Sequence, residues 1–304
     1  MKILITGSTG MVGVNLCQQL NMDTKYKLLT PSRKELNLLD RQAVYSYIKK
    51  SMPDLIIHLA AKVGGIQANI NAPVEFLVEN TLVNTHVIHS ALQVGVPKLI
   101  NLGSSCMYPR DREILCEDDL LTGKLEPTNE GYAIAKVSTT LLCEYICKQH
   151  GLLYKTIVPA NLYGPYDNFD PIASHLIPAI IRKLHEAKIN QNSQVEIWGD
   201  GQARREFMYV DDLIEFIKRA IDDIEKLPET INVGLGYDYT IDEYYKIAAK
   251  VIGYNGSFIH DTTKPAGMQR KLLDITKAKQ IGWQAKISLE DGLSKTYKYF
   301  LSTV

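Results

Sequence analysis

Tyr132 and Lys136 stand four residues apart at the head of a stretch whose pattern predicts a helix over residues 132–150. On a helix, positions i and i+4 share a face, so a phenol and an ammonium would lie side by side. An unperturbed phenol titrates near ~10, and an adjacent cation favours its ionised form. Such a phenol can protonate the alkoxide that forms when a hydride reaches a ketone. Tyr/Lys pairs at this spacing also occur on ordinary surface helices, so position carries the weight. This helix follows the fourth predicted strand, at the edge where an open parallel sheet presents its crevice. Ser104, Ser105 and Cys106 follow the same strand and reach the same edge. The hydroxyls can donate to a substrate carbonyl and stabilise an oxyanion; the plainer alternative is a hydrogen-bonded turn. Cys106 on its own reads as a small buried residue beside a strand end.

A second chemistry-bearing segment, Gly7-Ser8-Thr9-Gly10-Met11-Val12-Gly13, joins the first predicted strand to the first predicted helix. Glycine lets such a turn take unusual dihedrals and lets the backbone approach a pyrophosphate. The anion then meets unpaired N–H groups and the positive end of the helix dipole. With a strand before and a helix after, the pattern points to a dinucleotide site rather than to a turn that only packs a helix. An NAD site usually places an acidic residue at the end of the second strand, for the ribose 2′-hydroxyl. Here that region reads Leu28-Leu29-Thr30-Pro31-Ser32-Arg33-Lys34, with no carboxylate before Glu35. Arg33 offers a planar fork to a 2′-phosphate. The expected cofactor is therefore NADPH/NADP, and a solvated basic loop is the alternative.

The elements that must position these residues alternate. Predicted strands over residues 2–6, 27–29, 55–59, 98–102 and 155–159 are separated by predicted helices over 11–22, 41–51, 72–95 and 132–150. This order implies an α/β fold, a Rossmann-type doubly wound parallel sheet with helices on both faces. After Tyr163-Gly164-Pro165 comes a loop rich in Pro, Asp and Asn over 166–173, then helices over 175–186, 211–223, 241–251 and 289–301. Short strands fall at 195–198 and 230–233. The second half reads as a smaller α/β substrate-binding domain interleaved with the sheet. The NADP-binding domain is expected over residues 1–165 with a return segment at about 205–236, and the substrate domain over 166–204 and 237–304.

Lys plus Arg (34) equals Asp plus Glu (34). That balance points away from nucleic-acid and membrane surfaces and leaves any anion site local. No apolar run reaches the ~18 residues of a membrane helix, and residues 1–7 open as a strand rather than a signal peptide. Five cysteines without CxxC pairing suit reduced thiols and a cytoplasmic setting. His86 and His89 share a helix face, but no further ligands join them, so no metal is expected.

Taken together, Thr6-Gly7-x-x-Gly10-x-x-Gly13, the Ser104 loop and Tyr132-x-x-x-Lys136 resemble the extended short-chain dehydrogenase/reductase superfamily. Longer blocks narrow the match. Ala60-Ala61-Lys62-Val63-Gly64-Gly65-Ile66, Leu102-Gly103-Ser104-Ser105-Cys106-Met107-Tyr108-Pro109 and Leu125-Glu126-Pro127-Thr128-Asn129-Glu130-Gly131-Tyr132 resemble the GDP-L-fucose synthase family. So do Asn161-Leu162-Tyr163-Gly164-Pro165, Ser174-His175-Leu176-Ile177-Pro178, Arg205-Glu206-Phe207 and Arg270-Lys271-Leu272-Leu273-Asp274.

The resemblance implies an NADPH-dependent 3,5-epimerase-4-reductase that turns GDP-4-keto-6-deoxymannose into GDP-L-fucose. It implies a reductase triad of Ser104, Tyr132 and Lys136, with Cys106 and His175 as the epimerising base and acid. It places Gly7, Thr9, Gly10, Met11, Val12, Gly13, Arg33, Asp40, Ala60, Ala61, Lys62, Tyr132, Lys136 and His175 at the cofactor. Ser105, Asn161, Lys183, Trp198, Arg205 and Lys271 are placed at the GDP-sugar. The chemistry is coherent. A C4 ketone acidifies the hydrogens at C3 and C5, and inversion needs proton-transfer groups on opposite faces. A thiol near ~8.5 and an imidazole near ~6.5 can both shuttle protons near neutral pH. A homodimer is also implied, with the 72–95 and 132–150 helices packing against their mates.

Three departures bear on the sugar and the cofactor. Arg182-Lys183 stands where the family commonly has two arginines, Ser8-Thr9 where it often offers a cation, and the 109–119 loop differs in sequence. Two other readings stay open: a C4-reductase with reduced or no epimerase activity on another GDP-4-keto sugar, such as a heptose or dideoxy sugar, and a non-catalytic NADP-binding sensor or scaffold. The last usually loses the Tyr or Lys of the pair, and both are present here.

Overall fold

The first strand, β1 (Lys2–Thr6), is buried along Ile3, Leu4 and Ile5, as expected of a strand covered on both faces. It leads through the glycine loop into α1 (Met11–Leu20), then β2 (Lys27–Leu29), α2 (Arg41–Ser51) and β3 (Leu55–His58). The computed structural model describes residues 1–171, 174–263 and 269–304. The helix expected over 72–95 is preceded by the short α3 (Ile66–Asn71) and is itself α4 (Pro73–Val94). Pro73, with no N–H to give, stands in the first turn of α4 and marks the new start. Next come β4 (Lys98–Leu102), the short β5 (Ile114–Leu115), α5 (Glu130–His150), β6 (Leu153–Pro159) and β7 (Asn161–Tyr163).

The second half continues with α6 (Leu176–Ile189), β8 (Gln194–Trp198), β9 (Arg204–Arg205), β10 (Phe207–Tyr209), α7 (Val210–Asp222) and β11 (Thr230–Val233). It closes with β12 (Tyr239–Thr240), α8 (Ile241–Ile252), β13 (Ser257–Asp261), β14 (Leu272–Leu273), α9 (Thr276–Gln280) and α10 (Leu289–Leu301). Part of the loop expected over 166–173, residues 172–173, lies outside the described residues, as do 264–268 of the expected substrate domain.

Six strands form one parallel sheet in the order β11-β6-β4-β3-β1-β2. Parallel neighbours need crossover helices, and these cover both faces, which is the doubly wound α/β arrangement. Leu4, Ile56, Leu99 and Tyr154 point to one side and pack with Val44 and Ile48 of α2, Val87 and Ile88 of α4, and Cys143 and Ile146 of α5. Their neighbours Ile3, Ile5, Ile57, Ile100 and Ile157 point to the other side, toward Leu16 and Leu20 of α1 and the apolar face of α7. The period-two split is what a pleated strand imposes. Short pairs add to the frame: β7 with β10, β8 with β13 and β5 with β14 run parallel, and β9 with β12 antiparallel.

Glu206 ties three of these segments together. It is 1% exposed, and its Oε1 accepts from Leu235 N (2.5 Å) and Gly236 N (2.9 Å) while Oε2 accepts from Leu273 N (2.9 Å). Three donors from the backbone after β11 and from β14 converge on one carboxylate beside Arg205. Replacing Glu206 with Gln would point an amide N–H₂ at one of those donors. The expected loss is ~1–3 kcal/mol of stability, read as a lower urea midpoint with an unchanged slope. An unchanged midpoint would contradict this account of the junction.

Candidate active site

The carboxyl ends of β1, β3, β4 and β6 open into one cleft of about 870 Å³. Gly7, with φ at +73°, is left-handed, and a Cβ there would lie 2.7 Å from Ala60 N. At Gly13 a Cβ would lie 2.2 Å from the Gly7 carbonyl oxygen, so α1 packs directly on its own loop. No side chain caps α1 at Gly10, and no acid stands in its first turn. Its leading N–H groups therefore face the cleft beside Thr9, Met11 and Val12, a setting that fits a diphosphate. Arg33 lines the far end with Pro31 and residues 36–39.

Asp40, expected at the cofactor, is not among the residues lining the cleft. Its carboxylate accepts from Ala43 N at 3.0 Å and caps α2. Ala60, Ala61 and Lys62 form the wall after β3. The Lys62 ammonium is 2.6 Å from Glu79 and the Lys62 backbone N–H donates to Asn80 Oδ1 at 2.8 Å, so this lysine braces the wall.

Tyr132 and Lys136 occupy successive turns of α5, with the ammonium turned to a backbone carbonyl rather than to the phenol. Lys136 is 3% exposed, its Nζ donates to the Leu102 carbonyl at 2.6 Å and lies 5.9 Å from the Tyr132 ring centroid. Burial pushes the Tyr132 phenol up, with Cys106 adding to the shift and a hydrogen bond from Ser104 opposing it. Burial also lowers Lys136 to about 8, against the opposing pull of Cys106. Desolvation outweighs the ammonium because that charge is spent on a carbonyl rather than aimed at the phenol. A phenol so placed keeps its proton at neutral pH, which suits a group that must give one. Ser104 Oγ accepts from Cys106 N at 3.3 Å, holding the turn over 105–107.

Beneath the pair runs a buried chain of polar side chains. Asn84 Nδ2 donates to Thr139 Oγ1 (2.7 Å), which donates to the Ala135 carbonyl (2.7 Å). That leaves Asn84 Oδ1 to accept from His58 Nε2 at 2.9 Å, so the Thr6 hydroxyl donates to His58 Nδ1 at 2.7 Å. Burial, reinforced by the Lys136 charge, pushes His58 down to about 4, consistent with the neutral ring this chain requires. The ends of β1 and β3 are thereby fixed to α4 and α5.

Cys106, Ser105, Asn161 and His175 line the same cleft. His175 precedes α6 without capping it, and enclosure by the cleft lowers its imidazole below the ordinary value. Cys106 Sγ accepts from Asn129 Nδ2 at 3.1 Å and lies 3.5 Å from Lys271 Nζ. Lys271, expected at the GDP, thus meets the thiol. Lys183, Trp198 and Arg205 do not line this cleft. Lys183 Nζ sits 5.3 Å from the Trp198 ring centroid, and Trp198 is 55% exposed. Arg205 NH1 donates to the Arg204 carbonyl at 2.7 Å. Arg182 pairs with Glu186 at 3.0 Å. Asn161 Nδ2 donates to the Glu206 carbonyl at 3.2 Å, which links the cleft floor to the junction described above.

Sequence reasoning gave no role to Asn129 or Asp167, both in the cleft wall. Asn129 fell inside a matched block, but nothing in its type marks it as the thiol's partner. Asp167 stood in a polar loop where nothing distinguished it from solvated neighbours. Among the described residues, no group of three or more His, Cys, Asp or Glu could hold a metal, and no helix is long and apolar enough to cross a membrane.

Residues 3–234 match the model of the NAD dependent epimerase/dehydratase family. The chain belongs to that family. It is 53% identical over 304 residues to GDP-L-colitose synthase of Yersinia pseudotuberculosis, covering 99% of this chain and 98% of that one. It is 44% identical over 309 residues to GDP-L-fucose synthase of Escherichia coli (strain K12), covering 99% and 96%. A solved GDP-mannoheptose C4 reductase from Campylobacter jejuni with NADP bound superposes with a TM-score of 0.89 at 32% identity, covering 99% and 98%. The chain is thus an enzyme of the GDP-L-fucose synthase type, as its motifs implied.

A Gly13→Ala substitution should weaken dinucleotide binding by at least roughly tenfold, about 1.4 kcal/mol, because the methyl group must displace the Gly7 carbonyl. Fluorescence titration with NADPH checks this, with circular dichroism confirming that the sheet is intact. An unchanged Kd would show that the loop does not hold the cofactor.

Proposed function

We propose that this chain uses NADPH to reduce the C4 ketone of a GDP-4-keto-6-deoxyhexose after epimerising the sugar, and that the substrate is GDP-4-keto-6-deoxymannose, giving GDP-L-fucose. The observation that carries this reading is that Cys106 and His175 share one cleft with Ser104 and Tyr132. In this reading NADPH, held by the glycine loop, the α1 N-terminus and Arg33, supplies the hydride to C4. Ser104 and Tyr132 hold the C4 oxygen while negative charge develops on it. Cys106 and His175 remove and return protons at the carbons beside the ketone, from opposite faces. Tyr132 then gives its proton to the C4 oxygen, and loss of the ketone ends the epimerisation. Lys136 positions α5 and keeps a positive charge close to the reacting oxygen. Ser105, Asn161, Lys183, Trp198, Arg205 and Lys271 are the proposed GDP-sugar contacts.

The proposed division gives residues 1–165 and about 205–236 to the cofactor, and 166–204 and 237–304 to the GDP-sugar. A cytoplasmic setting suits the free thiols. We also propose a homodimer through α4 and α5. Val74, Val78 and Leu82 form an exposed apolar row on α4, and Tyr145 is exposed on the neighbouring α5. Light scattering should give twice the chain mass; a single-chain mass at micromolar concentration would reject the dimer.

A second reading of the sugar has its own support. Identity is 53% to a GDP-L-colitose synthase against 44% to a GDP-L-fucose synthase. L-colitose, a 3,6-dideoxyhexose, carries no oxygen at C3, so its 4-keto precursor needs inversion at C5 alone.

The test offers GDP-4-keto-6-deoxymannose and its 3-deoxy counterpart separately, with NADPH, in deuterated water. The proposal expects NADPH oxidation with deuterium at C3 and C5 of the first sugar; turnover of the 3-deoxy sugar alone would favour the second reading. Cys106→Ser should abolish deuterium incorporation, and Tyr132→Phe should slow reduction by ~10²–10⁴-fold. Reduction of neither sugar would reject both.

A further inference from the structure

The loop after β7 carries a carboxylate that nothing above has used. Asp167 Oδ1 accepts from Asn168 N at 2.8 Å. Its Oδ2 is shielded from solvent and has no hydrogen-bond partner among the described residues, yet Asp167 lines the cleft. Leaving a carboxylate oxygen buried and unpaired is costly unless a ligand or a proton satisfies it. The loop that carries it is tied down at several points. Asn15 Nδ2 of α1 donates to the Pro165 carbonyl at 3.0 Å, and Gln18 Nε2 donates to the Tyr166 hydroxyl at 2.7 Å. The Tyr166 ring packs on Tyr299 of α10 with centroids 4.8 Å apart. Tyr166 is itself held at φ +67°, left-handed for a bulky residue. The loop is thus clamped to α1, the helix whose N-terminus faces the glycine loop.

Among the described residues no basic side chain forms an ion pair with this acid. On its own loop stand Tyr166, Asn168 and Asp170. On α1 the one ionisable side chain is Cys17, and α6 is preceded by His175. On α10 Lys295 lies over the Tyr209 ring at 5.3 Å, Tyr297 meets His185 at 3.0 Å, and Lys298 and Tyr299 follow. The cleft is also lined by Arg33, Lys62, Glu79, Cys106 and Tyr132, with Lys136 buried beneath. None of these forms an ion pair with Asp167 among the described residues. Burial, opposed only by the Asn168 N–H, pushes Asp167 up to about 7.

Resting on the assignment of this cleft to NADPH, we propose that Asp167 takes up one proton from solvent as the cofactor binds and offers the resulting O–H as a donor to it. The cofactor brings several negative charges into a cleft where Asp167 forms no ion pair among the described residues, so a neutral acid is the form that can stay. The sign follows by linkage. Below about 7 Asp167 is already protonated in the free protein and adds no pH dependence to NADPH affinity. Above about 7 each binding event must recruit the proton, and Kd rises by up to about tenfold per pH unit.

The test is isothermal titration of NADPH into the full chain at pH about 8, in two buffers of different ionisation enthalpy. The expected result is net proton uptake for the native chain. Asp167→Asn, a mimic of the protonated acid, should take up less by the share of Asp167 and bind more tightly than the native chain at this pH. His175 and Lys136 can also exchange protons on binding, so the difference between the two proteins is the readout. Equal proton uptake in both would overturn the inference while leaving the cofactor reading intact. Failure of the native chain to bind NADPH would overturn both. If the Asn variant does not fold, carboxyl ¹³C NMR of the native protein decides. The Asp167 resonance must move toward the protonated position on adding NADPH, and a resonance that stays ionised overturns the inference.

Discussion

A buried ammonium needs a partner, and Lys136 finds one in the carbonyl that ends β4. Desolvating a charge costs several kcal/mol unless hydrogen bonds replace water. The contact therefore fixes α5 against the sheet at one height. The chain from Thr6 through His58, Asn84 and Thr139 fixes the same helix from the side. Each donor in that chain has one acceptor, so it admits one arrangement of tautomer and amide. Tyr132, one turn before Lys136, and Ser104, two residues past Leu102, inherit their places from these bonds. The cleft is in this sense a consequence of where buried polar groups could be satisfied.

The large elements were legible because they obey strong local rules. The strands at 2–6, 27–29, 98–102 and 230–233 and the helices at 41–51 and 289–301 lie where apolar periodicity places them. The short pairs β5 with β14 and β9 with β12 were not legible, since two-residue strands form only where distant segments are brought together. Pro73 marks the start of α4, within one residue of the expected 72–95 helix, while the short α3 ahead of it was not expected.

The cleft was legible in part of its lining, with Asp40, Lys183, Trp198 and Arg205 falling outside it, and less so in its electrostatics. The glycine loop, Arg33, Ser104, Cys106, Tyr132 and His175 share one cleft, as the motifs implied. Burial, not Lys136, sets the direction in which the Tyr132 phenol shifts, because spacing on a helix says nothing about what else competes for an ammonium. Lys271 lies against the thiol because β14 pairs with β5, a contact between segments far apart in sequence. Asp40 is a helix cap, a role its position before α2 already signals. Asp167 was hidden because burial of a loop residue is a tertiary property.

The account's central claim is that one cleft serves both epimerisation and reduction around a single ketone. A crystal structure of the Tyr132→Phe chain with NADPH and GDP-4-keto-6-deoxymannose tests it most directly. The account predicts the sugar C4 beside the nicotinamide, its oxygen at Ser104, and Cys106 Sγ and the His175 imidazole on opposite faces of the ring beside C5. A sugar bound with C5 away from both Cys106 and His175, or with C4 out of reach of the nicotinamide, would contradict it.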